Sequence, residues 1–245
     1  MPNPAWTPIL TCAFDGPARL EEWKLEGAAD VSITPERELL IANVKRRIGP
    51  QEVFRSTLWR KEPLWGDLKF EFEVKGEPKN GNIFFFNAQP LQGCKSIFDW
   101  ERPLANYVEY TGDPRLQLYT LGMLRYGQDV INVRYLGGTN AGLVDLAKAD
   151  PTQGDPDHQG LASKEFEEKS IFHSAPSPFR DPERYYRIEL AVVANRLTVD
   201  VDGRRTLDYV DEPRAASPLR GGFFGFRNFA LTKTWCRSLR VWRLE

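Results

Sequence analysis

Cysteine and histidine are scarce in this sequence, with 3 and 2 copies among 245 residues. Cys12, Cys94 and Cys236 are odd in number, widely spaced and form no CxxC pair, which argues against a disulfide framework and a Cys-rich zinc site. His158 and His173 are too few for a His-rich metal centre, so no metal site is assigned. GDPDH (154–158) lacks the regular acidic spacing of a dedicated calcium loop. A GxSxG elbow, a phosphate-binding glycine loop and a dinucleotide fingerprint are all missing, and no cofactor is expected.

Charge of one sign is missing too. Lys and Arg number 33 against 34 Asp and Glu, and the signs interleave. A nucleic-acid surface needs a basic excess or stripe, so no nucleic-acid partner is expected. No apolar run approaches about 18 residues, so no transmembrane helix or membrane association is expected. The opening MPNPAWTPIL has neither a basic n-region nor a long apolar core, and the expected location is the cytoplasm.

What the chain does have is aromatic residues and strands. Trp, Tyr and Phe make up 12% of it, with 7 Trp among them. Phe fills cores, whereas the flat face of a sugar ring stacks well on an indole, so the Trp count points toward a glycan. In LKFEFEV (68–74) Leu68, Phe70, Phe72 and Val74 share one face of a strand and Lys69, Glu71 and Glu73 the other. NIFFFNA (82–88) is continuously apolar, as in a strand covered on both sides. RIELAVV (187–193), LTVDVD (197–202) and RTLDYV (205–210) are separated by short turns, the second being the hairpin dipeptide Asp202-Gly203. FFGFRNF (223–229) and SLRVWRL (238–244) close the chain. Only ARLEEW (18–23) and SKEFEEK (163–169) look helical.

Many strands and almost no helical periodicity predict an all-β sandwich or barrel of antiparallel sheets. No linker divides the chain, so residues 1–245 are expected to form one domain. Alternation disappears over about 137–178, where Gly, Pro, Asp and Lys dominate. That stretch is expected to be either a lid over a cleft or a solvated insertion.

Three runs carry a family resemblance: FRSTLWRKEPLWGDLKFEFEVKGEPKNGNIFFFNAQPLQGCKSIF (54–98), NRLTVDVDGRRTLDYVDE (195–212) and GGFFGFRNFALTKTWCRSLRVWRL (221–244). Their order resembles the YesU-like family of bacterial proteins. More distantly the chain is similar to the 3-keto-disaccharide hydrolase family, through its FDG opening (14–16), the hairpin and the GFR ending. The resemblance implies a concanavalin-like jelly-roll sandwich of two antiparallel sheets and a plant-glycan setting. It also implies a Tyr-rich segment, which here reads NYVEYTGD (106–113), with Thr111 where the YesU-like pattern has His.

Glycoside hydrolysis needs two carboxyl groups at a set separation. Side chains at i and i+2 of a strand share a face about 6.6 Å apart, which makes Glu71/Glu73 and Asp99/Glu101 candidate pairs, with Glu165/Glu167 a third in a loop. None fits an ExDxxE signature. Glu71 faces either solvent or the cleft, and Trp100, bracketed by acids, is a candidate sugar platform. If Tyr107-Val108-Glu109-Tyr110 is a strand, Tyr107 and Glu109 share a face, and Glu109 is placed as a general base or a hydroxyl ligand. Arg125 and Arg134, near tyrosines, match a lyase that neutralises a uronate. His173 ends the insertion, where a lid base would sit. The candidate set is therefore Glu109, His173 and Tyr107 for catalysis, with Trp59, Glu71, Trp100, Arg125, Arg134 and Arg227 for substrate.

The resulting expectation is a carbohydrate-active protein, a glycoside hydrolase or a polysaccharide or oligosaccharide lyase acting on a plant-type glycan fragment. The alternative is a non-catalytic, lectin-like glycan-binding module, and a third reading is a structural or interaction domain without a small ligand.

Overall fold

The computed structural model describes residues 5–77, 82–91, 93–106, 109–110, 113–124, 126, 130–137 and 171–245. They build two eight-stranded antiparallel sheets and a small two-stranded one. In sheet I the order is β16 (Arg204–Val210), β15 (Arg196–Val201), β14 (Tyr186–Val193), β9 (Leu68–Gly76), β18 (Lys233–Leu244), β4 (Leu39–Asn43) and β3 (Ala29–Ile33), with β1 (Trp6–Cys12) also paired to β18. In sheet II it is β13 (Ile171–Pro176), β12 (Val130–Gly137), β11 (Leu116–Met123), β10 (Asn82–Pro90), β17 (Gly221–Asn228), β7 (Ser56–Arg60) and β2 (Trp23–Gly27), with β8 (Leu64–Trp65) beside β17. β5 (Arg46–Ile48) and β6 (Gln51–Val53) form the separate hairpin. The architecture is an antiparallel sandwich, one of the two forms the strand pattern allows and the jelly roll that the family resemblance implies, with its first and last strands adjacent.

Alternation decides which side chains meet. Phe70 and Phe72 of β9 reach inward to Phe84 of β10 at centroid distances of 5.4 and 4.9 Å, and Phe224 and Phe226 of β17 complete the cluster at 6.0 and 5.1 Å from Phe84. Every member is essentially closed to solvent. Phe70 meets Phe84 edge to face and the other three pairs are tilted; aromatic pairs contribute about 0.5–1.5 kcal/mol each beyond their burial. The run Asn82–Ala88 reads as continuously apolar because β10 is covered twice. Phe84 and Phe86 face this core, while Ile83 and Phe85 face a second cluster on the outer side of sheet II.

The second cluster exists because the connection from β10 to β11 folds back over the sheet. Ile97, Trp100 and Tyr110 from that connection pack on Trp59, Ile83, Phe85 and Phe223. Elsewhere the turns follow their residue types: Asp202 (φ 52°) and Gly203 (φ 75°) both adopt the positive φ of a two-residue hairpin turn.

Three local expectations change. Residues 18–23 give a 3-10 turn (Pro17–Glu22) rather than an α-helix. Glu109 and Tyr110 are not in a strand: the Glu109 N–H donates to Asn106 O at 3.0 Å, a helical turn that local hydrogen bonding favours over sheet pairing, while Tyr107 lies outside the described residues. The end of the insertion, Ile171–Pro176, pairs antiparallel with β12 as a strand, and 138–170, with His158, lie outside the described residues.

Candidate functional site

β2 is the edge strand of sheet II, and its period-2 alternation turns Lys24 and Glu26 to the outer face while Trp23 and Leu25 face the core. Across the sheet Glu26 is opposite Thr57, Thr57 opposite Arg227, and Arg227 opposite Ile83. This row of polar groups would be wet on a bare sheet. Here the 91–113 connection covers it, and Glu26 is 5% exposed and Arg102 2%.

Burying a carboxylate requires donors, and Glu26 has four. Arg102 donates from Nη2 to Oε1 at 2.8 Å and from Nε to Oε2 at 3.1 Å. Trp59 Nε1 and the Tyr110 hydroxyl each donate to Oε2 at 2.8 Å. The Tyr110 and Thr57 oxygens are 2.9 Å apart, so the threonine hydroxyl donates to the phenol oxygen whose own hydrogen points to Glu26. Charge-assisted hydrogen bonds of this bidentate kind are among the strong ones in proteins. Arg227 clamps the cover, donating to Ala105 O at 3.1 Å with its guanidinium 4.1 Å from the Phe229 ring.

Two glycines make the close packing possible. Gly27 has φ 81°, and a Cβ there would lie 2.3 Å from Arg55 O and 2.7 Å from Ala105 Cβ. At Gly225 a Cβ would meet Leu58 O at 2.6 Å and the Trp59 ring at 3.0 Å. Without these absences neither the covering connection nor the indole fits.

Beside the pair is a pocket of about 300 Å³, walled by Lys24, Leu25, Glu26, Gly27, Ile48, Glu101, Arg102 and Pro103. Arg102 thus binds Glu26 and lines the pocket, and its Nη1 is buried with no hydrogen-bond partner among the described residues. Lys24 brings a second cation, its ammonium 4.7 Å from the Phe98 ring. Half-buried Glu109 accepts from Asn106 N–H at 2.8 Å. Burial pushes its carboxyl above the usual range and the charge of Glu26 adds to this, against the lowering effect of Asn106 N–H. A carboxyl raised in this way holds its proton more firmly than a solvated one, the direction that favours acid–base work. Tyr110, wholly buried and facing Glu26, is driven well above the ordinary phenol value. Among the described residues no group of three or more His, Cys, Asp or Glu side chains is placed to hold a metal ion.

The structure brings Glu109, Trp59, Trp100 and Arg227 into one neighbourhood, but in different roles. Trp59 and Arg227 are fully buried under the cover, so they hold it in place instead of meeting a substrate. Trp100 lies between the guanidiniums of Arg102 (5.1 Å) and Arg115 (4.7 Å), which leaves it no open platform. Arg134 shares the outer face of sheet II, opposite Thr120, but it stands five strands from Glu26, roughly 24 Å at the spacing of paired strands. Glu71 lies on the outer face of the other sheet, 3.3 Å from Arg187 and 3.8 Å from Arg240, because alternation in β9 sends it away from sheet II. His173 pairs with inward-facing Val133 and shares that orientation: it points between the sheets at the sandwich edge and stacks on Tyr209 at 5.8 Å, so among the described residues it faces no cleft. Arg125 and Tyr107 lie outside the described residues.

Sequence reasoning passed over Glu26 and Arg102. The signal available was weak: a glutamate at an outward position of WKLEG and an arginine following Trp100. It also passed over Trp65, which at 51% is a large exposed apolar side chain.

A family model described as a 3-keto-alpha-glucoside-1,2-lyase-like domain matches residues 11–241. No curated protein matches the chain. Among solved structures, a protein of unknown function with a galectin-like fold from Bacillus subtilis has 16% identity and a TM-score of 0.73, covering 99% of both chains. The Emp46p carbohydrate recognition domain in its potassium-bound form has 12% identity and a TM-score of 0.54, covering 91% of this chain and 89% of that one. The VIP36 exoplasmic/lumenal domain bound to Ca2+ and Man3GlcNAc has 13% identity and a TM-score of 0.55, covering 92% and 84%. At these identities the likeness is one of fold.

Proposed function

This chain belongs to the family of 3-keto-alpha-glucoside-1,2-lyase-like domains, and from that membership we propose that it cleaves a 3-keto glycoside by elimination across C1 and C2. The observation that carries the reading is the pocket walled by Lys24, Glu26 and Arg102, with Glu109, a half-buried carboxyl raised by burial, outside the pocket's walls but within electrostatic reach of Glu26 and Arg102.

A ketone at C3 acidifies the hydrogen on C2. In the proposed reaction Glu109 removes that proton, the C1–O bond breaks as the C1–C2 double bond forms, and the same carboxyl returns the proton to the departing oxygen. Negative charge builds on the C3 oxygen meanwhile. Lys24 and Arg102, the two cations that wall the pocket, are the groups suited to it, and preorganised electrostatic stabilisation is the usual large term in such catalysis. Glu26 acts as a positioning residue through Arg102. The plant-glycan setting names a source for the substrate, and the YesU-like assignment rests on the three sequence runs alone.

One observation favours a second reading, a glycan-binding module without turnover. All four donors around Glu26 are satisfied internally, as in a purely structural network. Two fold neighbours are described as a carbohydrate recognition domain and as a domain bound to Man3GlcNAc; they support this reading through the shared fold only.

The test is incubation of the whole protein with 3-keto-trehalose. Elimination releases glucose together with a product whose conjugated enone absorbs in the ultraviolet, and Glu109→Gln slows this by about 100-fold or more. Glucose release without the enone would make the protein a hydrolase. Binding with no release would favour the module.

A further inference from the structure

The outer face of sheet I carries a depression of about 260 Å³, on the opposite side of the sandwich from the Glu26 pocket. Its floor is made by small residues: Ala191 of β14 is directly opposite Thr198 of β15 on one side and Lys69 of β9 on the other. Trp6 of β1 forms one wall, and Glu189, Asp200 and Arg205 form the other. We propose that this depression is a second binding site, for one ring of a neutral saccharide.

The argument rests on the lining. One donor there lacks an acceptor among the described residues. The Lys69 ammonium lies 4.9 Å from the Trp242 ring and 5.4 Å from the Trp6 ring, and it makes no ion pair among the described residues. Trp242, opposite Lys69 on β18, borders the depression without lining it. A ligand must therefore bring acceptors. An anion is opposed, because Glu189 and Asp200 face the same space, and Asp200 is already paired with Arg205 at 2.6 Å and Glu189 with Arg187 at 3.0 Å. The lone pairs these carboxylates have left instead accept hydrogen bonds from hydroxyl groups. The two cations and two carboxylates of the lining cancel. An indole wall, an ammonium without an ion-pair partner among the described residues, carboxylates with lone pairs left over from their arginine pairs and no net charge together describe a polyhydroxylated ring with an apolar face. A concave site with a few convergent polar groups and an aromatic wall is the usual form of a small-ligand pocket. The inference does not rest on the elimination reaction proposed for the other face.

The test uses the whole protein with its tryptophan indole N–H resonances assigned, titrated with the neutral sugars trehalose, maltotriose and cellotriose and with anionic trigalacturonate. At least one neutral sugar is expected to shift the Trp6 and Trp242 indole signals at millimolar concentration. Ala191→Arg, which fills the depression from a solvent-facing position, abolishes those shifts, and Trp6→Ala weakens binding by about tenfold or more. Glu109→Gln leaves both the shifts and the affinity unchanged, which separates this site from the catalytic one. Shifts with trigalacturonate alone, no shift with any neutral sugar, or shifts that survive Ala191→Arg would each overturn the proposal.

Discussion

Arg102 Nη2 stands 2.8 Å from Glu26 Oε1, 76 positions apart in sequence, with both side chains withdrawn from water. Desolvating two charges is costly, and the pair recovers that cost only with full hydrogen bonding. Trp59 and Tyr110 supply what Arg102 alone does not. The pair is therefore sensitive to the loss of either member.

Arg102→Met and Glu26→Leu are each expected to destabilise the fold by about 3–5 kcal/mol, because each leaves an uncompensated buried charge. The double variant loses clearly less than the sum. Urea denaturation of the four proteins measures this as a double-mutant cycle, and additive losses would mean that the two side chains do not interact.

Tyr110→Phe removes one donor from Glu26 and leaves the Thr57 hydroxyl facing a ring edge. The expected cost is about 1–3 kcal/mol, the penalty for an under-satisfied buried polar group. Thermal unfolding checks it.

Glu109 gives opposite pH trends in stability and turnover. Its folded carboxyl holds the proton to higher pH than the unfolded chain, whose value is near 4.5. Over that window the folded state binds more protons, so stability falls as pH rises. Relative to Glu109→Gln, the wild-type protein should be equally sensitive to pH below about 4, lose ground as pH climbs toward the folded value, and then level off. Turnover runs the other way, rising as Glu109 ionises to become a base. Denaturation and initial rates measured across pH 4 to about 8 test both.

Gly27→Ala should cost about 1–3 kcal/mol from the positive φ alone. It should also loosen the cover, since the new methyl group collides with Arg55 O and Ala105. Faster amide exchange in residues 97–106 is the accompanying sign. Exchange unchanged there would mean that the cover does not depend on this approach.

His173→Ala should leave 3-keto-trehalose turnover intact. The ring stacks on Tyr209 at the sandwich edge, and its removal should cost only about 0.5–1.5 kcal/mol. A variant that folds but has lost activity would return His173 to the site.

The sequence by itself determined the strands, because alternation is a local property. Leu68, Phe70, Phe72 and Val74 mark one buried face within seven residues, the apolar run at 82–88 marks a strand covered twice, and Asp202-Gly203 marks its own turn. The burial of Glu109 was legible for a related reason: a carboxylate among tyrosines signals burial, although Glu109 is not in a strand because it and Asn106 hydrogen-bond to each other. Only the tertiary structure decided which polar residues meet. Glu26 joins Arg102 because β2 ends up at the edge of sheet II and the β10–β11 connection folds over it. Neither fact is encoded in the neighbours of either residue. The same holds for Trp59, whose identity suggests a platform and whose place under the cover makes it a donor to Glu26. For Glu71 and His173, a side chain's face follows from alternation, but whether that face meets solvent, the other sheet or a pocket depends on what the fold lays against it.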